Sequence, residues 1–305
     1  MINRIFKLSI FCISILILFS CKKEKNETLW TAYPIENFAN EFVRTIAIDS
    51  QNNKWIGTDH GLAKFDGTNW IVNTERNSIQ SIVVDKQGYK WIGAANLWPG
   101  STTGVSLYDG ENWTTCINNA CVYSIVIDKQ GVKWIGTEQS ELLRYDNTNL
   151  TVYPKQYIDN AGVWIKSIAL DSYENLWICA DRGIIKFDGT NWTNYPESKG
   201  GGNVIVIDKD DNKWIGSYRG VTKYSGTEWK TYDVSDGLVD NCVYAAVVDN
   251  WGNLWFGTNR GISRFDGIHW TTMLEDECVS ALAIDNQGYI WAGLRGKILK
   301  FNEPH

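Results

Sequence analysis

Proline and histidine are scarce, 5 and 3 in 305 residues. Glycine, at 27, falls far short of the one-third share of a collagen-like repeat, and 44% hydrophobic against 21% charged residues is too apolar for a disordered chain. Bases are outnumbered: 29 Lys and Arg face 35 Asp and Glu, a net charge of −6 that argues against a nucleic-acid partner, whose phosphates recruit Lys and Arg. Histidine is limited to His60, His269 and His305, and no CxxC pair is present, so neither a metal site nor a cofactor is expected. Nowhere do apolar residues keep the 3.6-residue spacing of helices. The apolar run Leu8 to Phe19 is too short to span a bilayer comfortably. What the chain has in excess is tryptophan, 16 residues.

The amino terminus is set apart first. Arg4 and Lys7 precede the apolar run, and Leu18-Phe19-Ser20-Cys21 closes it. This is the pattern of a secretion signal, residues 1–20, and its last four residues resemble a bacterial lipobox. That resemblance implies lipidation of Cys21 and a membrane-anchored protein of the bacterial cell envelope, periplasmic or cell-surface; an uncleaved membrane anchor with a coincidental Cys is the alternative. The polar run that follows makes 21–27 a tether, with a single domain over 28–305. The cysteines left in that domain are Cys116, Cys121, Cys179, Cys242 and Cys278, an odd number that leaves at least one thiol free. Cys116 and Cys121 are close enough in sequence to be bridged, and the spacing does not decide it.

Internal repetition dominates the rest. The segment VRTIAIDSQNNKWIGTDHGLAKFDGTNW from Val43 recurs to the carboxyl terminus. Its fixed points are an Asp and a Trp six residues later: Asp49/Trp55, Asp85/Trp91, Asp128/Trp134, Asp171/Trp177, Asp208/Trp214, Asp249/Trp255 and Asp285/Trp291. Successive copies lie 36 to 43 residues apart, room for four short strands and their turns. VRTIAID and KWIGT are β-rich runs split by a polar turn, LAKFD follows Gly61, and Asp66-Gly67 closes a hairpin into NWIVN. The fold class is therefore all-β, a seven-bladed β-propeller of four-stranded blades. The seventh repeat ends at Phe301-Asn302 without a fourth strand, whereas Leu29-Trp30-Thr31-Ala32-Tyr33-Pro34 matches the internal fourth strand Asn191-Trp192-Thr193-Asn194-Tyr195-Pro196. The amino-terminal strand is expected to complete the last blade and close the ring. Thirteen of the Trp fall at two repeat positions and are architectural; the repeat Asp, present seven times, is expected to bond the adjacent turn.

VYSIVIDKQGVKWIGT from Val122 and WFGTNRGISRFDGIHW from Trp255 resemble the two-component regulator propeller repeat. In that family such repeats build the extracytoplasmic sensor propellers of hybrid histidine kinases, many of which respond to oligosaccharides. The residues at hand read as a single propeller with no kinase segment, so the resemblance implies binding rather than phosphotransfer. A second resemblance, through Gly252-Asn253-Leu254-Trp255-Phe256, is to the seven-bladed lyases of the virginiamycin B type. Those use His and Glu with a metal, and here only His60 falls on the expected ligand face, without an identifiable Glu partner.

Candidate site residues lie where the repeats differ. Five positions before each repeat Asp stand Arg44, Gln80, Tyr123, Lys166, Asn203, Tyr244 and Ser280, a polar ring expected to project together at one mouth of the channel. In the loop between second and third strands stand His60, Thr103, Ser140, Arg182, Arg219, Arg260 and Arg295, whose four Arg suggest a patch for carboxylates or sulfates; pairing with nearby acids such as Asp181 is the alternative. Trp98, in the blade-two insertion, and Trp164 fall outside the repeat and with Tyr123, Tyr218 and Tyr244 suit a sugar ring or a peptide side chain; the alternative is that both Trp cover gaps between blades. Trp251 falls in a turn on the opposite face. Asp208, Asp210 and Asn212 hold the D-x-D-x-N spacing of a calcium loop, but Lys213 stands where Gly is required, and a polar hairpin is the better reading. The partner expected is an oligosaccharide or an envelope protein, with a lyase and an envelope-assembly scaffold as the other readings.

Overall fold

The computed structural model describes residues 29–73, 78–95, 103–139, 141–153, 164–195 and 201–304. Seven four-stranded antiparallel sheets are present among them, each a blade. In blade 1 the strands run, from channel to rim, Val43–Ile48, Lys54–Thr58, Gly61–Phe65 and Trp70–Asn73. The other inner strands are Ser78–Val84, Val122–Ile127, Ile165–Leu170, Val204–Ile207, Val243–Val248 and Ala281–Ile284. The last blade is completed by Trp30–Pro34, which pairs antiparallel with Lys297–Pro304 from Trp30↔Phe301 to Pro34↔Lys297. The closure expected from the sequence is thus in place, and it removes an open edge from the ring. Among the described residues no helix is long and apolar enough to cross a membrane. The signal at 1–20, Cys21 and the tether lie outside the described residues.

The Asp–Trp pair is the hinge of every repeat. In all seven blades the Trp indole N–H donates to the carboxylate of the Asp six residues earlier, at 2.8 to 3.0 Å. The other carboxylate oxygen accepts from the turn backbone; Asp171 takes the N–H groups of Tyr173 and Asn175. One side chain therefore satisfies both a tight turn and a buried indole, which has no water to turn to. The blade-five calcium-like spacing resolves the same way, with Asp208 accepting from Asp210, Asn212 and Trp214.

Blades pack through a close approach at the second strand. A Cβ on Gly57, Gly93, Gly136, Gly216, Gly257 or Gly293 would sit 2.4 to 2.8 Å from a Val or Ile at or near the start of the next inner strand. Blade 4 reverses the arrangement. Cys179 stands where the others have Gly, and the next blade answers with Gly202 in place of the Val or Ile, its missing Cβ 2.8 Å from the Cys179 sulfur. The thiol is fully buried, and that burial pushes its pKa up. Among the described residues Cys116, Cys121, Cys242 and Cys278 form no disulfide, so the bridge left open by the sequence does not form.

Candidate functional site

Seven side chains reach the channel from positions that break the strand pattern. The pairing between inner and second strands slips by one residue at Arg44, Gln80, Tyr123, Lys166 and Tyr244. Asn203 and Ser280 sit just ahead of their inner strands. Each is the extra residue of a β-bulge or the residue before the strand, a place where the chain re-aims one side chain. Backbone groups disturbed by the slips find partners between blades: Ser81, Ser124 and Ser167 accept the N–H of Ile125, Ile168 and Ile205 at 3.0 to 3.2 Å.

All seven ring residues line one cavity of about 600 Å³ at the mouth of the channel. Arg44 is held bidentate by Asp59, at 2.6 and 2.9 Å. Lys166 lies 3.0 Å from Asp181 and 3.1 Å from the Asn203 amide oxygen, with its ammonium 5.3 Å from the Tyr218 ring centre. Asn203 and Ser280 donate to the backbone carbonyls of Val243 and Val43, and Gln80 donates to Ser78. The charges are thus compensated and their geometry fixed before any ligand arrives.

Aromatic rings form the rest of the wall. Tyr123 and Trp164 stack at 5.7 Å with planes 12° apart, and Tyr218 meets Tyr244 edge-on at 6.2 Å. Trp164 is 38% exposed and Tyr218 59%. The Tyr123 phenol is pushed up to about 12, by burial first and then by the carboxylate of Glu138, so it stays a neutral donor at any physiological pH. Burial also raises the Tyr244 phenol and the thiol of Cys278, which shares the cavity.

The second ring does not converge with the first. None of His60, Thr103, Arg182, Arg219, Arg260 or Arg295 lines the channel cavity. Arg260 is paired with Asp276 at 3.2 Å, and Arg295 donates to the Asn40 carbonyl while lying over Phe42. Thr103 lines a separate recess between blades 1 and 2. His60 does have a carboxylate partner, Glu41, at 2.5 Å, a pair the sequence did not disclose because 19 residues separate its members. Asp181, offered in the sequence as a partner for the Arg patch, serves Lys166 instead. Trp98 and Ser140 lie outside the described residues. Among those described, no group of three or more His, Cys, Asp or Glu could hold a metal ion.

Residues 237–260 match the family described as Two component regulator propeller. That match spans 24 of the 305 residues, about one copy of the repeat. Its structural relatives include the extracellular domain of a hybrid two component system from B. thetaiotaomicron, at TM-score 0.75 and 20% identity over 90% of this chain and 41% of that one. The repeat chain therefore spans about two fifths of that domain. Virginiamycin B lyase from Staphylococcus aureus, with Quinupristin, aligns at TM-score 0.73 and 15% identity over 89% of this chain and 98% of the other. PorZ, a surface component of the type-IX secretion system of Porphyromonas gingivalis, aligns at 0.56 and 19% over 81% and 44%. At these identities the likeness concerns the fold. No curated protein matches by sequence.

Proposed function

We propose that this repeat propeller is a non-enzymatic binding module of the bacterial envelope, anchored through Cys21, and that its ligand is an oligosaccharide seated in the channel mouth. The observation that carries the reading is the pairing of a flat aromatic wall, Tyr123 on Trp164 with Tyr218 and Tyr244, with a ring of amide, hydroxyl and charged groups in one 600 Å³ cavity. A pyranose needs both: its C–H face packs on an aromatic plane while its hydroxyls exchange hydrogen bonds at the rim. Ring geometry held by internal bonds lowers the ordering cost of binding. The extracellular setting named for the B. thetaiotaomicron domain supports the location. The lyase reading finds less support, since His60 and Glu41 stand apart from this cavity. An envelope protein is the alternative partner, and the likeness to PorZ keeps an assembly role in the comparison.

The test is a glycan array with the domain from residue 28 onward, followed by calorimetry on the best hit. Trp164→Ala and Tyr244→Ala are expected to weaken binding at least tenfold, the loss of about 1.4 kcal/mol. Arg260→Ala, outside the cavity, is expected to leave it unchanged. No hit on the array, or equal affinity for all three variants, rejects the oligosaccharide; one stoichiometric protein recovered from an envelope extract would then favour the alternative. Lipidation is checked separately, by the mass of the mature amino terminus in wild type and Cys21→Ala.

A further inference from the structure

Four blade junctions share one aromatic plug. The fourth strand of the leading blade supplies a Tyr, which packs on the Trp of its own second strand and on aromatic rings of the next blade. Tyr195 does this between blades 4 and 5, 5.2 Å from Trp177, 5.3 Å from Tyr224 and 5.8 Å from Trp229. Tyr33, Tyr153 and Tyr232 repeat the arrangement at their own junctions.

The junction of blades 1 and 2 has the same socket with a different plug. Trp55 stands for Trp177, Tyr108 and Trp113 for Tyr224 and Trp229, and Lys64 and Lys90 flank the Trp55 ring at 5.5 and 4.9 Å as Lys186 and Lys213 flank Trp177 at 6.0 and 4.8 Å. The stacked pairs match as well, Tyr108 on Trp113 at 4.8 Å and Tyr224 on Trp229 at 4.4 Å. At the plug position, however, the strand reads Trp-Ile-Val-Asn where blade 4 reads Trp-Thr-Asn-Tyr. Asn73 is shorter than Tyr by most of a ring. A cavity of about 460 Å³ opens there, lined by Trp55, Tyr108, Trp113, Asn73 and both lysines, with Trp113 48% exposed at its rim.

We infer that this slot is a second binding site, separate from the channel, for one phenolic ring. Concave sites with aromatic walls and a few polar groups take up planar ligands readily when the walls are preformed. Here the chemistry is specified by the other junctions: a tyrosyl ring is accepted by the matching Tyr224–Trp229 wall between blades 4 and 5, and by walls with Phe65, Phe187 or Phe265 in place of that Tyr at three more. The Asn73 amide and the Lys64 and Lys90 ammonium groups, which line the slot, suit a ring carrying a polar substituent rather than a plain hydrocarbon.

The experiment uses p-cresol, the tyrosine side chain as a free molecule, with equilibrium dialysis and thermal melting of wild type, Asn73→Ala and Asn73→Tyr. One saturable site is expected in wild type and Asn73→Ala, with a rise in Tm of at least ~2 °C near saturation. Asn73→Tyr is expected to lose that site and to melt above wild type without ligand, because it fills the slot from within. N-acetyltyrosinamide as competitor separates the sources: competition admits a tyrosyl residue of a partner chain, and its failure confines the ligand to free phenols. Absence of a saturable p-cresol site in wild type, retention of it in Asn73→Tyr, or a lower Tm for Asn73→Tyr overturns the inference.

Discussion

At the scale of single residues the ring is held by compensations, and the Cys179–Gly202 exchange is the clearest. Six junctions put a Cβ-less residue on the second strand beneath a Val or Ile; the blade 4–5 junction puts a thiol there and deletes the opposing side chain. Neither change is tolerable alone. A Cβ at Gly202 would meet Cys179 Sγ at 2.8 Å and Ile215 Cγ2 at 2.5 Å, both inside a packed cluster. Gly202→Ala is therefore expected to cost about 1–3 kcal/mol as an overpacking change. Adding Cys179→Gly to it removes one of the two clashes, so the double variant is expected to be more stable than the sum of the singles by roughly 0.5–3 kcal/mol. Urea unfolding of the four proteins measures the coupling, and strict additivity would show that the two positions do not answer each other.

At the scale of strands and blades, the closing segment does most for the ring with fewest residues. Trp30 packs on Phe301 at 5.0 Å and donates its indole N–H to the Met273 carbonyl, while Tyr33 packs between Phe65 of blade 1 and Trp291 of blade 7. Tyr33 thus joins first and last blades through its ring, and Tyr33→Ala is expected to cost about 2–4 kcal/mol, in the range of large-to-small core changes. Removing residues 29–34 is expected to do more: it bares the Lys297–Pro304 strand as a free edge and invites pairing with a second copy. A size-exclusion profile identical to that of the intact protein, with an unchanged Tm, would contradict this. The strand count, the period and this closure were all legible in the sequence, because a β-blade must repeat its apolar contacts at fixed positions. The bulges were not. Alternation of side chains placed Arg44, Gln80 and Tyr123 at the channel by a simpler route, whereas a slip of register is what aims them there. The pairing of Glu41 with His60 and of Lys166 with Asp181 depends on how loops from different strands meet, which no spacing along the chain encodes. The change of plug at Asn73 stands in the repeat, but its meaning needed the sockets of different junctions to be seen side by side.

At the scale of the whole molecule, the repeated carboxylates set how the propeller responds to pH. Asp49, Asp171, Asp208 and Asp285 are each pushed upward by burial, yet hydrogen bonds from the turn and the indole more than offset it, and all four end below the ordinary value of 3.8. The exposed hairpin carboxylates of Asp66, Asp109, Asp188 and Asp266 are lowered too, by backbone N–H groups first. A folded pKa below the unfolded one means that the stabilisation is complete above the unfolded pKa and is lost as pH falls through the folded values. The Tm is therefore expected to be level from neutral pH down to about 4.5 and to drop steeply below 3.8, as many equivalent sites take up protons together. At the alkaline end the sign reverses for Tyr123, raised to about 12: its contribution is whole below 10.0 and fades as pH climbs from there toward 12. Asp171→Asn separates the carboxylates from general acid unfolding. It replaces an acceptor of four hydrogen bonds by an amide that cannot accept at both ends, so neutral stability is expected to fall by about 1–3 kcal/mol. One fewer proton is then taken up on acid unfolding, and the slope of stability against pH below 3.8 is expected to be shallower than in wild type. An equal slope in the two proteins, measured by urea unfolding at several pH values, would mean that the repeat Asp is not what the acid attacks.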